Sequence, residues 1–149
     1  MRIACDTEED MLALGQRLGC AMQPGTVVAL DGDLGAGKTV LSRGIARGLG
    51  ITGRIPSPTY VIVNVHPGGR IPLIHGDLYR LADDEELEQL GLEDWFDGTQ
   101  VVVLEWAAQF ASALPGDRLD ITIRGDDTRQ VELRATGPVH QQLLERVRE

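Results

Sequence analysis

The chain has 149 residues, a length that favours a single domain, residues 1–149, built around one hydrophobic core. Its net charge of −9 argues against unaided binding to a nucleic-acid backbone, because proteins that bind one alone usually carry the opposite charge. The sequence has no apolar run of about eighteen residues and no leader pattern at its start, so we expect a cytoplasmic protein without a membrane span.

The cysteines and histidines do not predict a metal centre. Cys5 and Cys20 do not form a C-x-x-C pair, which favours buried thiols in a reducing compartment over a disulfide or a zinc site. The three histidines lack metal-ligand spacing among themselves.

The first elements predicted are a short edge strand at 2–5 and a helix that follows it. Thr7 to Asp10 has the Ser/Thr-x-x-acid pattern of a capping box. Thr7 is therefore expected first of all as a helix cap, although a segment that ends near the next strand could also contact a nucleotide base. The apolar stripe of the helix consists of Met11, Leu14, Leu18 and Met22.

The sequence at 32–39, GDLGAGKT, matches the phosphate-loop pattern G-x-x-x-x-G-K-[ST]. A β-branched, apolar run at 26–30 precedes it, and a run with one apolar helical face follows at 40–49. Glycines let the main-chain N–H groups approach phosphate oxygens, Lys38 adds a positive charge, and Thr39 offers a hydroxyl to Mg²⁺. The loop therefore predicts a nucleoside-triphosphate site between a strand and a helix.

A stiff segment follows at 54–60, where Pro56 and Pro58 force an extended path into a strand predicted at 60–65. Thr59 lies on this segment. One interpretation is a simple entry into the strand. The other is a switch, in which Thr59 touches the γ-phosphate or its Mg²⁺ and is released after hydrolysis.

Two acids are expected at strand ends. After a hairpin turn at 66–70, a strand at 71–74 leads to Asp77, which is either a turn residue or a carboxylate that binds metal or orients water. The apolar run 101–104 predicts an interior parallel strand that ends at Glu105. Because open α/β sheets bind ligands at the carboxyl ends of their strands, function is favoured for Glu105 over a capping role.

The remaining segments are predicted from their local patterns. The residues at 83–91 form a short acidic helix. Two runs at 117–124 and 128–135 alternate with period two and predict an antiparallel hairpin with one solvated face. A helix at 138–149 closes the chain.

Four motifs now stand in order: GDLGAGKT at 32–39, SPTY at 57–60, HGDLYR at 75–80 and VLEW at 103–106. Together they resemble the TsaE family, also called YjeE, over nearly the whole chain. The resemblance implies an α/β fold like that of P-loop NTPases, a three-layer sandwich whose mostly parallel central sheet is flanked by antiparallel strands. It also implies an ATPase that takes part in making threonylcarbamoyladenosine at position 37 of tRNA while bound to the TsaB–TsaD pair.

Carried over by motif, the resemblance assigns roles to individual residues. Lys38, Asp77 and Glu105 form the expected catalytic set, and Thr39 and Glu105 are the expected Mg²⁺ contacts. The residues expected to hold ATP or ADP are Thr7, Asp33, Leu34, Gly35, Ala36, Gly37, Lys38, Thr39, Val40, Thr59 and Trp106.

The expected reaction is ATP + H₂O giving ADP and phosphate, slow for the isolated protein and faster with partners. tRNA is expected only through the partner complex. A guanine-reading Asn-Lys-x-Asp tetrapeptide is absent from the sequence, which favours adenine. A small-molecule kinase and a nucleotide-binding module without turnover remain as alternatives.

Overall fold

The computed structural model describes residues 1–33, 35–52, 63–125 and 127–148. Within these ranges the chain forms one sheet with helices on both faces. None of the described helices is long and apolar enough to cross a lipid bilayer. In chain order the elements are β1 (Arg2–Cys5), α1 (Glu8–Ala21), β2 (Val27–Gly32), α2 (Lys38–Gly48), β3 (Val63–His66), β4 (Leu73–Asp77), α3 (Asp84–Gln89), α4 (Leu92–Trp95), β5 (Val101–Glu105), a 3₁₀ segment (Ala108–Ala113), β6 (Leu119–Arg124), β7 (Arg129–Ala135) and α5 (Pro138–Arg148).

The strand order across the sheet is β1-β7-β6-β2-β5-β4-β3. The four central strands, β6, β2, β5 and β4, run parallel to one another. β7 and β1 extend one side in antiparallel pairs, and β3 pairs antiparallel with β4 on the other side. A parallel centre flanked by antiparallel strands is the arrangement that the family resemblance implies, and the α/β fold class is confirmed.

The core lies in two layers, one on each face of the sheet. Because side chains alternate along a strand, β5 contributes Val101 and Val103 to one face and Val102 and Leu104 to the other. The first layer is completed by α1, α2 and α5, and the second by α3, α4 and the 3₁₀ segment. All five residues of β5 are buried, which is the reason for its uninterrupted apolar run.

The predicted elements agree with the observed ones in type, with shifts at their ends. The capping box at the start of α1 is present: Thr7 Oγ1 accepts from Asp10 N at 3.0 Å, and Asp10 Oδ2 accepts from Thr7 N at 3.2 Å. β4 begins two residues after the predicted start and continues to Asp77. The SPTY motif at 57–60 and the start of the strand predicted at 60–65 lie outside the described residues. The expectation that both thiols are buried is wrong for Cys20, which is exposed on α1.

Helices α1 and α2 pack with their backbones in direct contact. Each carries a pair of glycines four residues apart, and these pairs face one another. A Cβ atom on Gly15 would lie 2.5 Å from the carbonyl oxygen of Leu41, and the other three glycines are equally confined by the opposite backbone. The glycine pairs are Gly15 and Gly19 on α1, and Gly44 and Gly48 on α2.

A polar relay between Asp117 and the buried His140 fixes the start of α5. Gly137 precedes the helix and has no side chain to cap it, but Asp117 accepts from the backbone N–H groups of Val139 at 2.9 Å and His140 at 3.2 Å. Asp117 Oδ1 also lies 2.8 Å from His140 Nδ1, and His140 Nε2 accepts from Val27 N at 2.9 Å. Since Nε2 is an acceptor, the proton lies on Nδ1 and is donated to Asp117. The relay ties α5 to the start of β2.

Candidate active site at the carboxyl ends of the parallel strands

The 32–39 loop joins the carboxyl end of β2 to the first turn of α2. Gly37 precedes the helix with φ 109°, a left-handed conformation that a side chain would strain. A Cβ atom there would lie 3.3 Å from Met11 Cε, so the loop lies close against α1. The first amide N–H groups of a helix lack partners within it, and the helix dipole is positive at that end. This end of α2 therefore favours an anion at the edge of the sheet.

Lys38 is the first residue of α2, and its side chain turns back into the loop. Its Nζ atom donates to the carbonyl oxygens of Gly32 at 2.5 Å and Asp33 at 3.0 Å. The same atom lies 4.1 Å from the centre of the Trp106 ring, within range of a cation–π interaction. Burial lowers the pKa of Lys38, and nearby carboxylates, with Glu105 the strongest, oppose that shift. A buried cation is thus held beside the acids of the sheet.

Two carboxylates lie at the ends of neighbouring parallel strands. Asp77 ends β4, Glu105 ends β5, and the sheet register pairs them directly. Asp77 Oδ1 accepts from Tyr79 N at 2.9 Å, and burial raises the pKa of its carboxyl group. Glu105 is 3% exposed, and its Oε2 atom lies 2.5 Å from Nε2 of the fully buried His75. One acid is therefore held by a turn amide and the other by a histidine ring.

Trp106 leaves the sheet directly after Glu105 with a backbone φ of 59°, the only positive φ outside glycine in the described ranges. A left-handed conformation costs such a residue about 1–2 kcal/mol. Its N–H donates to Leu30 O at 3.0 Å, which holds this turn against β2. Its ring packs at 4.9 Å from the ring of Tyr79, and on this path the indole also reaches the Lys38 ammonium.

These groups surround one cleft of about 300 Å³. It lies at the carboxyl ends of β2, β4 and β5, where the sequence placed the site. The residues from the predicted set that line it are Gly35, Gly37, Lys38, Thr39, Val40, Asp77, Glu105 and Trp106.

The other predicted residues lie elsewhere or outside the described chain. Thr7 is engaged as the cap of α1, and Asp33 lines a neighbouring cleft on the far side of Trp106. Ala36 belongs to the loop itself but is buried, 7% exposed, and does not line the cleft. Leu34 and Thr59 lie outside the described residues.

Three residues at the site were missed by sequence reasoning. His75 precedes Asp77 by two residues on β4, so the period of a strand could have placed it on the same face as that acid. Glu8 lines the cleft one residue after the predicted Thr7. Arg129, the first residue of β7, also lines the cleft, and no local pattern marked it, because it depends on how distant strands pair.

The donors at the cleft fit Mg²⁺ bound together with phosphate groups. Thr39, Asp77 and Glu105 offer hard oxygen ligands around one space. Among the described residues no three His, Cys, Asp or Glu side chains form a cluster that could hold a metal on its own. A magnesium site in phosphate chemistry has one or two carboxylates and takes further ligands from the phosphates.

Comparison with known proteins assigns the chain to a family. Residues 5–132 match the family model described as "Threonylcarbamoyl adenosine biosynthesis protein TsaE". The curated protein named TsaE from Bacillus subtilis is 42% identical over 139 residues, 92% of this chain and 87% of that protein. The TsaE proteins of Mycobacterium leprae and Treponema pallidum are 43% and 38% identical, over 81% and 88% of this chain and 80% and 98% of their own lengths.

The fold gives the same assignment. The crystal structure of Bacillus subtilis YdiB superposes with a TM-score of 0.85 at 36% sequence identity, covering 99% of this chain and 93% of that one. The chain therefore belongs to the TsaE family, whose members are named for threonylcarbamoyladenosine biosynthesis on tRNA.

Proposed function

We propose that this protein is a Mg²⁺-dependent ATPase that hydrolyses ATP to ADP and phosphate in support of the TsaB–TsaD pair during threonylcarbamoyladenosine synthesis. The observation that carries the proposal is the single cleft in which the start of α2, Lys38 and Thr39 meet the carboxylates of Asp77 and Glu105. Membership of the TsaE family supports the pathway.

The loop and Lys38 bind the phosphates. The N–H groups from Gly35 to Thr39 surround the phosphate oxygens, and the positive end of α2 adds to their attraction. Lys38 now donates to two loop carbonyls, and it exchanges these for phosphate oxygens when ATP enters. Its positive charge then stabilises the negative charge that develops on the transferred phosphoryl group.

The acids act at the other end of the triphosphate. Mg²⁺, when bound, neutralises phosphate charge, and Thr39 and Glu105 are the residues that would hold it. Glu105 or Asp77 orients the attacking water. Because His75 fixes the Glu105 carboxylate at 2.5 Å, that acid is positioned before the nucleotide arrives.

The partner proteins provide the contact with tRNA and raise the rate of ATP hydrolysis. With a net charge of −9 the protein binds tRNA only through the TsaB–TsaD complex. Turnover is slow for the protein alone and rises in that complex. Equal rates of hydrolysis with and without TsaB–TsaD would contradict this dependence on the partners.

The test compares binding with hydrolysis in Asp77→Asn and Glu105→Gln, with Glu88→Gln on the exposed face of α3 as the matched control. Phosphate release in water, without any acceptor molecule, is measured beside the affinity for Mg–ATP. We expect both site variants to bind ATP and lose hydrolysis, and the control to keep both. Wild-type hydrolysis in both site variants would remove the catalytic assignment. Release only when an acceptor is supplied would favour a kinase, and binding with no release would favour a non-hydrolysing module.

A further inference from the structure

Three polar side chains lie together on one face of the outer strand pair, β3 and β4. Asn64 of β3 lies directly opposite His75 of β4 in the antiparallel register. His66 follows Asn64 by two residues, so it points to the same face and lies diagonal to His75. Opposite side chains in such a pair have Cβ atoms about 5 Å apart, and long side chains also reach their diagonal neighbours. The three side chains therefore share one space beside the ring that contacts Glu105.

Each of these side chains has a buried nitrogen atom whose hydrogen-bonding capacity is unused. Asn64 Nδ2, His66 Nε2 and His75 Nδ1 are shielded from solvent and have no hydrogen-bond partner in the described part of the chain. His75 as a whole is fully buried. Native proteins satisfy most buried polar atoms, with protein groups or with ordered water. Three unused nitrogen atoms on one face of one strand pair therefore indicate a common partner.

The donor and acceptor roles of these atoms are complementary to a single water molecule. Asn64 Nδ2 is a donor. A neutral His75 ring that donates from Nε2 to Glu105, at 2.5 Å, has an acceptor at Nδ1. Burial, and after it the neighbouring His75, lowers the pKa of His66, which favours a neutral ring whose Nε2 either donates or accepts. Water can accept from the amide, donate to His75 and form a third hydrogen bond with His66, and buried waters typically form about three.

We propose that Asn64, His66 and His75 bind one buried water molecule, and that Asn64 and His66 act through it as positioning residues for Glu105. The positioning role rests on the proposed function, in which Glu105 serves ATP hydrolysis. A ring held only at Nε2 can tilt about that contact, whereas a ring held at both nitrogen atoms has a fixed plane. Partners behind a functional side chain orient it in this way. The contacts thus extend from the edge strand β3 to the carboxylate at the cleft.

The water site is tested on the protein without nucleotide. A high-resolution crystal structure of the wild type should show one water at hydrogen-bond distance from all three nitrogen atoms. In protein labelled with ¹⁵N-histidine, Asn64→Leu should shift the Nδ1 resonance of His75, because the amide that orients the water is lost. Val65→Leu, on the exposed side of β3, is the matched control and should leave that resonance unchanged. A wild type without this water, or an Nδ1 resonance that Asn64→Leu does not move, would overturn the proposal.

The positioning role is tested by a double-mutant cycle on ATP hydrolysis. We expect Asn64→Leu to lower kcat roughly 3- to 10-fold with KM unchanged, less than the 10- to 100-fold typical of a residue that orients a functional group directly. His66→Leu should act in the same direction and serves as a second variant. In the His75→Leu background neither change should lower kcat further, because both residues act through that ring.

The outcomes separate this inference from the proposed function. Losses that add in the His75→Leu background, or that appear in KM, would show an independent structural role and overturn the positioning of Glu105. If the wild type binds the water but releases no phosphate from ATP, the proposed function fails while the water site stands. If the wild type hydrolyses ATP and no water joins the three nitrogen atoms, only this inference fails.

Discussion

His75 and His140 are both buried, and each faces a carboxylate, yet the rest of their surroundings differ. His140 uses both ring nitrogens, one toward Asp117 and the other accepting from Val27 N. His75 uses Nε2 toward Glu105, and its Nδ1 has no hydrogen-bond partner among the described residues. The first pair lies at the start of β2 and the second at the carboxyl ends of β4 and β5.

The difference teaches that a histidine–carboxylate pair does not by itself mark a functional site. Around His140 the ring and the Asp117 carboxylate bond to each other and to backbone N–H groups, so the relay stabilises the fold. Around His75 the carboxylate opens onto a cleft that also contains Lys38. The two pairs differ in whether the carboxylate faces a cleft where its oxygen atoms can bind a ligand.

The largest effect should come from the acid of the cleft. We expect Glu105→Gln to lower ATP hydrolysis about 10²- to 10⁴-fold, the range for loss of a catalytic acid–base group. The affinity for Mg–ATP should fall less than hydrolysis does, because the 32–39 loop and Lys38 remain to bind the phosphates. The matched change at the other pair, Asp117→Asn, should leave hydrolysis intact. A fall in activity for Asp117→Asn would erase the contrast between the pairs.

A smaller loss of activity should follow from the ring that positions Glu105. We expect His75→Leu to lower kcat about 10- to 100-fold with little change in KM, because the carboxylate loses its fixed orientation. His75→Gln, whose side-chain N–H can still donate to Glu105, should recover part of that rate. Equal losses in the two variants, with a parallel rise in KM, would argue for a merely structural role.

At the other pair the loss should appear in stability instead. We expect His140→Ala to lower the free energy of unfolding by about 1–3 kcal/mol, since Val27 N–H is left buried without an acceptor. Urea denaturation followed by circular dichroism gives this number. Per-molecule ATPase activity of the folded variant should match wild type at low temperature, and a large drop there would contradict the assignment.

The smallest effect on stability should come from removing Asp117, whose carboxylate caps the start of α5. We expect Asp117→Ala to cost about 1 kcal/mol, as for other lost helix caps. Burial acts to raise the pKa of Asp117, but the hydrogen bonds from Val139 and His140 outweigh it and lower the pKa below its usual value.

The sign of the pH effect follows from that lowered pKa. A carboxyl group whose pKa is lowered in the folded state adds stability above its unfolded pKa of about 3.9. This stability is lost as the pH falls through the folded pKa. The stability gap between wild type and Asp117→Ala should therefore shrink as the pH falls below about 4. A gap that widens on acidification would contradict the role of the charged form.

Local patterns predicted the parts of the site that depend on one segment. The 32–39 loop, the strand that ends at Glu105 and the acid at Asp77 could each be read from a few consecutive residues, because strand and loop chemistry are local. Arg129 could not, because its place follows from the pairing of β1 with β7 and of β7 with β6. The Asp117–His140 relay was missed for the same reason, because it joins a residue just before β6 to a residue of α5 that lies 23 positions later in the chain.

The glycine contact between α1 and α2 has a mechanical consequence. Since a single methyl group on either helix would collide with the opposite main chain, the two helices have one spacing and cannot slide gradually past each other. Glu8 lies on α1 and Lys38 on α2, so the parts of the cleft wall that they form move as one block. Any widening or narrowing of the cleft then falls to the opposite wall, where Asp77, Glu105 and Trp106 lie.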